Sequence, residues 1–150
     1  MIEGLYEAHV PVKDLNRSIE FYKKLDLELA WKNETVAFFW IEKEKSWLGL
    51  WEGESYKTPY HPSLRHVAFR ISFEKMDQAL DWLKERGIEA RPFGSRTSPA
   101  PFIRTYQGNA SVYFDDPDGN SLELMCTVDV PETWKEREEH LSLKQWKDGV

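Results

Sequence analysis

His9-Val10-Pro11-Val12 returns 57 residues later as His66-Val67-Ala68-Phe69. Each copy reads as a strand, in which alternation sets the histidine on one face and its neighbouring valine on the other. Outward from the first copy, the strand covers Tyr6 to Val12. Asp14 stands as an N-cap, and Leu15, Ile19, Phe21, Tyr22 and Leu25 form an apolar helical stripe. Strands over Leu27–Trp31, Val36–Ile41 and Trp47–Trp51 follow, and a loop rich in Tyr, Pro and Ser runs from Glu52 to Ser63. Outward from the second copy, a strand spans Leu64–Ser72. Ser72 then caps a helix with Met76, Ala79, Leu80 and Leu83 at i, i+3, i+4 and i+7, ended by Gly87. Ile88–Phe93 is the next strand, and Ser111–Phe114 pairs with Ser121–Thr127 through the turn Asp116-Pro117-Asp118-Gly119.

Both halves therefore run β-α-β-β-β, an internal repeat. The expected class is α+β: two tandem modules, residues 5–53 and 64–127, form a cupped mixed β-sheet with flanking helices in one domain over 1–128. Two segments fall outside the repeat. Gly94 to Asn109 is a long connection carrying Arg96, Pro99, Pro101 and Arg104. Residues 129–150 read as a charged helical tail that docks through Trp134, Leu141, Leu143 and Trp146.

Composition narrows the function. A net charge of −6 excludes a basic nucleic-acid surface. The single cysteine, Cys126, excludes an internal disulfide and fits a reducing compartment. No leader-like start and no membrane-spanning apolar run is evident, so a cytoplasmic protein without membrane partners is expected, and Asn-x-Ser/Thr matches at Asn16, Asn33 and Asn109 are chance. Seven Trp, eight Phe and six Tyr exceed what a small core needs. Some of them therefore line something.

His9, His66 and Glu123 are the candidates for chemistry. Each is a polar residue on a strand with apolar neighbours, and Leu122 and Leu124 fall on the face opposite Glu123. A buried carboxylate needs a partner, and a metal ion is one way to hold it. Two imidazoles and a carboxylate suit a divalent ion such as Mn, Fe(II), Ni or Zn, with positions open for a small-molecule substrate. Trp47, Gly49 and Trp51 share one strand face, as do Ser111 and Tyr113 on another, so these five are expected to line a substrate pocket or to pack in the core. Arg70 shares a face with His66 and reads equally as a substrate clamp or half of an ion pair. Arg96 and Arg104, with Arg70, are the residues that could supply positive charge to an anionic substrate. Cys126 faces away from Glu123, as inert core. Asp116-Pro117-Asp118-Gly119 lacks the first ligand of a calcium loop and is a turn.

The repeat, the paired His-Val strand starts and the run Tyr113-Phe114-Asp115-Asp116-Pro117-Asp118-Gly119-Asn120-Ser121-Leu122-Glu123 resemble the vicinal oxygen chelate superfamily over roughly residues 5 to 127. That group includes glyoxalase I, fosfomycin-resistance thiol transferases, extradiol dioxygenases and bleomycin-binding proteins. The resemblance implies a metal on the inner surface of a cup, ligated by His9, His66 and Glu123. It also implies a homodimer with the site at or near the interface, in which one ligand commonly comes from the other chain. Gly49 stands where glyoxalase I enzymes carry a fourth, acidic ligand, and Glu52 has the wrong strand parity to replace it. Arg104, Thr105 and Tyr106 stand where extradiol dioxygenases carry an acid-base histidine. The ligand pattern is nearest the fosfomycin-resistance group, although Pro11 and Leu64 replace its threonine and aromatic residue. The reading is a metalloenzyme that chelates a small oxygen-bearing substrate, with thiol transfer to an electrophile such as an epoxide slightly favoured. The alternatives are a non-catalytic bleomycin-resistance-type binding protein with an aromatic pocket, and an extradiol-type dioxygenase. No side chain is assigned a catalytic role beyond metal and substrate binding.

Overall fold

The computed structural model describes residues 1, 3–54, 65–137 and 139–149. Leu64 and the expected loop from residue 55 onward lie outside these. The chain divides into two compact units, residues 1–67 with 115–121, and residues 68–114 with 122–150.

The first unit begins with β1 (Glu7–Val12), α1 (Leu15–Lys24), β2 (Leu29–Lys32), β3 (Val36–Glu42) and β4 (Ser46–Glu52). The sheet order is β1-β4-β3-β2, with β1 parallel to β4 and the other pairs antiparallel. Asp14 caps α1 as its position predicts, accepting from the Arg17 amide at 2.9 Å. Glu52 Oε2 accepts from the Leu15 amide at 2.6 Å and satisfies a second orphan donor of the first turn. Lys23 and Lys24 sit in the last turn, where the helix dipole favours cations. The helix buries Leu15, Ile19 and Tyr22 against one sheet face made by Val10, Val12, Ala37, Phe39, Leu48 and Leu50. Alternation then leaves His9, Phe38, Trp40, Trp47, Gly49 and Trp51 on the other face.

The Asp116-Pro117-Asp118-Gly119 turn belongs to this first unit, and it does more than reverse the chain. Gly119 takes the positive φ the turn requires, +77°. Asp116 is 5% exposed. It accepts from the amides of Asp118 and Asn120 at 2.9 Å, from Asn120 Nδ2 at 2.6 Å and from the Tyr22 hydroxyl at 2.9 Å. Asn120 Nδ2 also donates to Pro11 O at 3.0 Å, and Arg65 Nε donates to Asn120 Oδ1 at 2.6 Å. Arg17 Nη2 pairs with Asp118 Oδ1 at 2.7 Å. The turn thereby fastens α1 and β1 from a point about a hundred residues along the chain. Burial raises both the Asp116 carboxyl and the Tyr22 phenol above their ordinary ranges.

β5 (His66–Arg70) opens the second half of the repeat, followed by α2 (Phe73–Met76), α3 (Ala79–Glu85), β6 (Ala90–Arg91), β7 (Phe102–Arg104), β8 (Asn109–Asp115), β9 (Ser121–Thr127), α4 (Glu132–Lys135), β10 (His140–Ser142) and α5 (Leu143–Lys147). The second sheet runs β10-β7-β8-β9-β5, with β6 paired to β8. The α+β class with mixed β-structure and flanking helices is as the sequence predicts, the described strands falling into two sheets. Met76, Ala79 and Leu83 are buried as the periodicity predicts. The helix is nevertheless cut in two, because Gln78 N bonds back three residues to Lys75 O in a tighter turn. Ser72 makes no side-chain capping bond. The strand predicted over Ile88–Phe93 shrinks to Ala90–Arg91, and Pro92 lacks the amide to extend it.

Two strands lie where none is expected. Phe102–Arg104 leaves the long connection to pair antiparallel with β8, and His140–Ser142 leaves the tail to pair antiparallel with β7. Both are three residues long and are made by non-local pairing, so neither has a period of its own to read. Thr105 fixes the junction: its amide and hydroxyl donate to Glu139 O at 3.0 and 3.1 Å, and its Oγ1 accepts from the Glu139 amide at 3.0 Å. Leu141 and Leu143 are buried as predicted, whereas Trp134 and Trp146 are half-buried. A Ser142–Gln145 capping box starts α5.

Replacing Asp116 by Ala strands four donors in a buried site, so the expected loss is about 3 kcal/mol, and Tyr22→Phe is expected to cost about 1 kcal/mol. Urea denaturation with an unchanged m-value checks both; equal losses for the two variants would contradict the central place of Asp116.

Candidate functional site

In the second unit, Arg104, Ser111, Tyr113 and Glu123 come together. Register sets Arg104 beside Asn109 and Phe102 beside Ser111 across β7 and β8. Arg104 is 4% exposed and Glu123 3%. Arg104 Nη1 donates to Ser111 Oγ at 2.8 Å and Asn109 Oδ1 at 3.2 Å, and Nη2 donates to the Tyr113 hydroxyl at 2.6 Å. Glu123 Oε1 lies 3.6 Å from Arg104 Nη1, an ion pair slightly longer than a hydrogen bond. The guanidinium also rests 4.9, 4.7 and 5.7 Å from the rings of Phe93, Phe102 and Tyr113. Burial and the neighbouring Glu123 carboxylate push the Tyr113 phenol up to about 12, against the opposing pull of Arg104. Its oxygen accepts from Arg104 while its proton stays on the phenol and serves Glu123.

In the first unit, His9, Trp47, Gly49 and Trp51 share the aromatic face. Trp51 Nε1 donates to His9 Nδ1 at 2.7 Å. An indole N–H is a donor only, so Nδ1 is the acceptor and the neutral ring carries its proton on Nε2. His9 Nε2 lies 3.2 Å from Glu7 Oε1, and Trp47 Nε1 donates to Glu7 Oε2 at 2.8 Å. The Trp47 bond, followed by the His9 bond, holds the Glu7 carboxyl below its ordinary range. Gly49 lies directly under the imidazole: a Cβ there would stand 2.3 Å from His9 Nδ1. The room that Gly49 leaves on this face is filled by His9 itself.

His66 is exposed, with Nδ1 3.1 Å from Ser121 Oγ. When Nδ1 carries the proton toward the hydroxyl, Nε2 keeps its lone pair outward, the arrangement a metal-binding histidine needs. Arg70 is exposed at the far end of β5. Glu52, near Gly49 in sequence, is committed to capping α1. It also borders a cleft of about 510 Å³ lined by Leu15, Asn16, Lys32, Asn33 and Glu34. Among the described residues no group of three or more His, Cys, Asp or Glu stands arranged for a metal ion. The donor types of His9, His66 and Glu123 suit a divalent ion, but His9 has both ring nitrogens engaged and must release Trp51 or Glu7 to ligate. Cys126 is buried, and burial raises its thiol.

Sequence reasoning missed His140. It is exposed on β10, in register with Arg104, its ring 5.1 Å from that of Phe102 and stacked on Tyr106 at 6.0 Å. Only the pairing of the tail strand reveals it. Burial first, then Arg104 and Arg96, lower its pKa. Two predictions follow from these placements. The His140 ring is expected to titrate, by NMR, with a midpoint below that of free histidine. Its neutral form then adds stability above the unfolded pKa of about 6.5 that is lost as pH falls through the lower folded midpoint, and His140→Gln removes that acid sensitivity. Gly49→Ala should displace the His9 ring, move the Trp51 indole N–H resonance and cost about 1–3 kcal/mol. An unmoved indole signal would contradict the close approach.

Comparison with known proteins places these residues in context. The family model described as Glyoxalase/Bleomycin resistance protein/Dioxygenase superfamily matches residues 4–124. The chain is 34% identical over 131 residues to the fosfomycin resistance protein FosX of Listeria innocua, covering 83% of this chain and 90% of that protein. It is 33% identical over 118 residues to the metallothiol transferase FosB of Staphylococcus epidermidis, covering 75% and 74%. A crystal structure of FosX from Listeria monocytogenes complexed with Mn(II) and sulfate superposes with a TM-score of 0.62 at 28% identity, covering 93% of this chain and 100% of that one. With a βαβββ-type pattern in each half and the family match spanning His9, His66 and Glu123, the chain belongs to the glyoxalase/bleomycin resistance protein/dioxygenase superfamily.

Proposed function

We propose that this chain is a metal-dependent enzyme that activates a small oxygen-bearing substrate, with thiol transfer to an electrophile such as an epoxide as the favoured reaction. The observation that carries this reading is Glu123, a carboxylate only 3% exposed, held on β9 by Arg104 and Tyr113. The names of its relatives support it: FosX is a fosfomycin resistance protein, FosB a metallothiol transferase, and a FosX structure carries Mn(II).

His9, His66 and Glu123 would hold the ion, whether Mn, Fe(II), Ni or Zn. When bound, it supplies Lewis-acid stabilisation of charge developing on a substrate oxygen. The chain's own residues do the rest. Tyr113, un-ionised at neutral pH, keeps a donor on Glu123, and Arg104 balances that carboxylate while orienting Ser111 and Tyr113. Trp47 and Trp51 offer flat apolar area for the body of a substrate, and Arg70 offers an exposed positive charge to it. A homodimer in which a second copy completes the ligand set fits the superfamily resemblance of the His9, His66 and Glu123 pattern. A cytoplasmic site of action fits the single unpaired cysteine; among the described residues no helix is long and apolar enough to cross a membrane.

Elemental analysis of the purified protein is expected to find about one divalent ion per chain, falling at least tenfold in His66→Ala and Glu123→Gln. Fosfomycin or another epoxide, supplied with a thiol, then separates the reactions: loss of thiol matched to loss of epoxide marks a transferase, and diol without thiol loss a hydrolase. No ion after reconstitution, with tight binding of an aromatic compound, would overturn the enzyme in favour of a sequestering protein. Such a protein would use the face that leaves Trp31 52% and Trp51 48% exposed. Trp51→Phe removes the indole donor from His9 Nδ1 and is expected to tighten Mn(II) binding several-fold by titration calorimetry; weaker binding would show that the indole supports the ligand rather than competing for it.

A further inference from the structure

The long connection and the tail, the two segments outside the repeat, build one more feature in the second unit. Arg96 lies over the Phe102 ring with its Cζ 4.3 Å from the centroid, and Arg104 Cζ is 4.7 Å from the same centroid. The His140 ring is 5.1 Å from it. Three nitrogen-rich groups, two from the connection and one from the tail, therefore surround a single phenyl ring. Arg104 is already balanced by Glu123. Arg96 is not so served: its Nε is buried with no hydrogen-bond partner among the described residues. A donor desolvated in this way calls for an acceptor that the described chain does not supply. The surroundings reinforce the demand, since both Arg96 and Arg104 repel a proton from His140. In a chain of net charge −6 the Arg96 charge, with no carboxylate partner among the described residues, marks a place for an anion.

The rings define what the anion is attached to. Phe93, Phe102 and Tyr113 stand within 27° of parallel, with centroids 4.9 to 6.5 Å apart. Tyr106 and His140 stack at 21°, and Phe93 and Tyr106 remain 37% and 40% exposed. Flat, partly exposed rings receive another flat ring, and a planar guanidinium matches a planar carboxylate. We propose that Arg96 and His140, with the partly exposed rings of Phe93 and Tyr106, form a subsite for an aromatic carboxylate, separate from the residues assigned to the metal.

The probe is benzoate, titrated into the full-length protein with and without Mn(II), with the His140 ring and Arg96 side-chain signals followed by NMR. Saturable shifts at both residues are expected, weakened at least tenfold by Arg96→Gln and less by Arg96→Lys, and unaffected by His66→Ala. Acetate should bind more weakly than benzoate, because it lacks the ring. Shifts that persist in Arg96→Gln, or no saturable shift in the wild type, would overturn the subsite. Binding that requires Mn(II) and vanishes in His66→Ala would assign the anion to the metal centre instead. Inorganic phosphate binding as tightly as benzoate would overturn the aromatic carboxylate. Thermal melts of Arg96→Gln and Arg96→Lys confirm that each variant is folded, so loss of the shifts reports on the subsite.

Discussion

The ion pair between Arg104 and Glu123 governs the second unit. Neither charge tolerates burial alone, and each is at most 4% exposed. Once Glu123 is turned inward on β9, the strand that supplies its countercharge must lie two strands away, and Arg104 must be long enough to reach across β8. Asn109, Ser111 and Tyr113 then accept from both Nη atoms of the guanidinium, so polar residues on β8 are required where an apolar face would otherwise serve. Burial, with Glu123 and against the pull of Arg104, keeps Tyr113 a phenol, not a phenolate. Aromatic rings around Arg104 complete the arrangement, since they accept a guanidinium without needing hydrogen bonds of their own.

The first unit solves a different problem. Its sheet has one face sealed by α1 and one face crowded with rings, and the polar side chains on the second face settle by satisfying one another. Trp47 and Trp51 each spend their indole N–H on a neighbour, Glu7 and His9 respectively. This is an economical way to keep tryptophans on a partly exposed surface, because the polar edge is served while the flat faces stay open. It also places His9 under two competing demands, and the ring can ligate an ion only by giving one of them up.

Much of this was legible in the chain. The repeat, the alternation around His9 and Glu123, the Asp14 cap and the apolar stripe of α1 are local or periodic signals, and local signals survive folding. Leu122 and Leu124 foretold that Glu123 stands apart from them, but not that Arg104 would neutralise it, since nothing local connects a connection loop to a strand nineteen residues on. β7 and β10 were invisible for the same reason: three residues have no period, and each becomes a strand only because the other and β8 are there. His140 was hidden with them. The Asp116 turn was legible as a turn through its proline and glycine, while its bonds to Tyr22 and Pro11 depend on chain about a hundred residues away and that to Arg65 on chain 55 residues away.

That last feature bears on the order of events during synthesis. The first unit contains residues 1–67 and 115–121, so a ribosome that has released its first seventy residues has not yet made the segment that closes them. Until residue 120 emerges, the Tyr22 hydroxyl and the Pro11 carbonyl wait without their native partners. Domains usually fold as units from the N-terminus as they are made; here the amino-terminal half stays unfinished while most of the other half is translated. The repeat that makes the two halves look independent in sequence is thus joined in time, and the nascent chain must remain soluble with its first sheet incomplete.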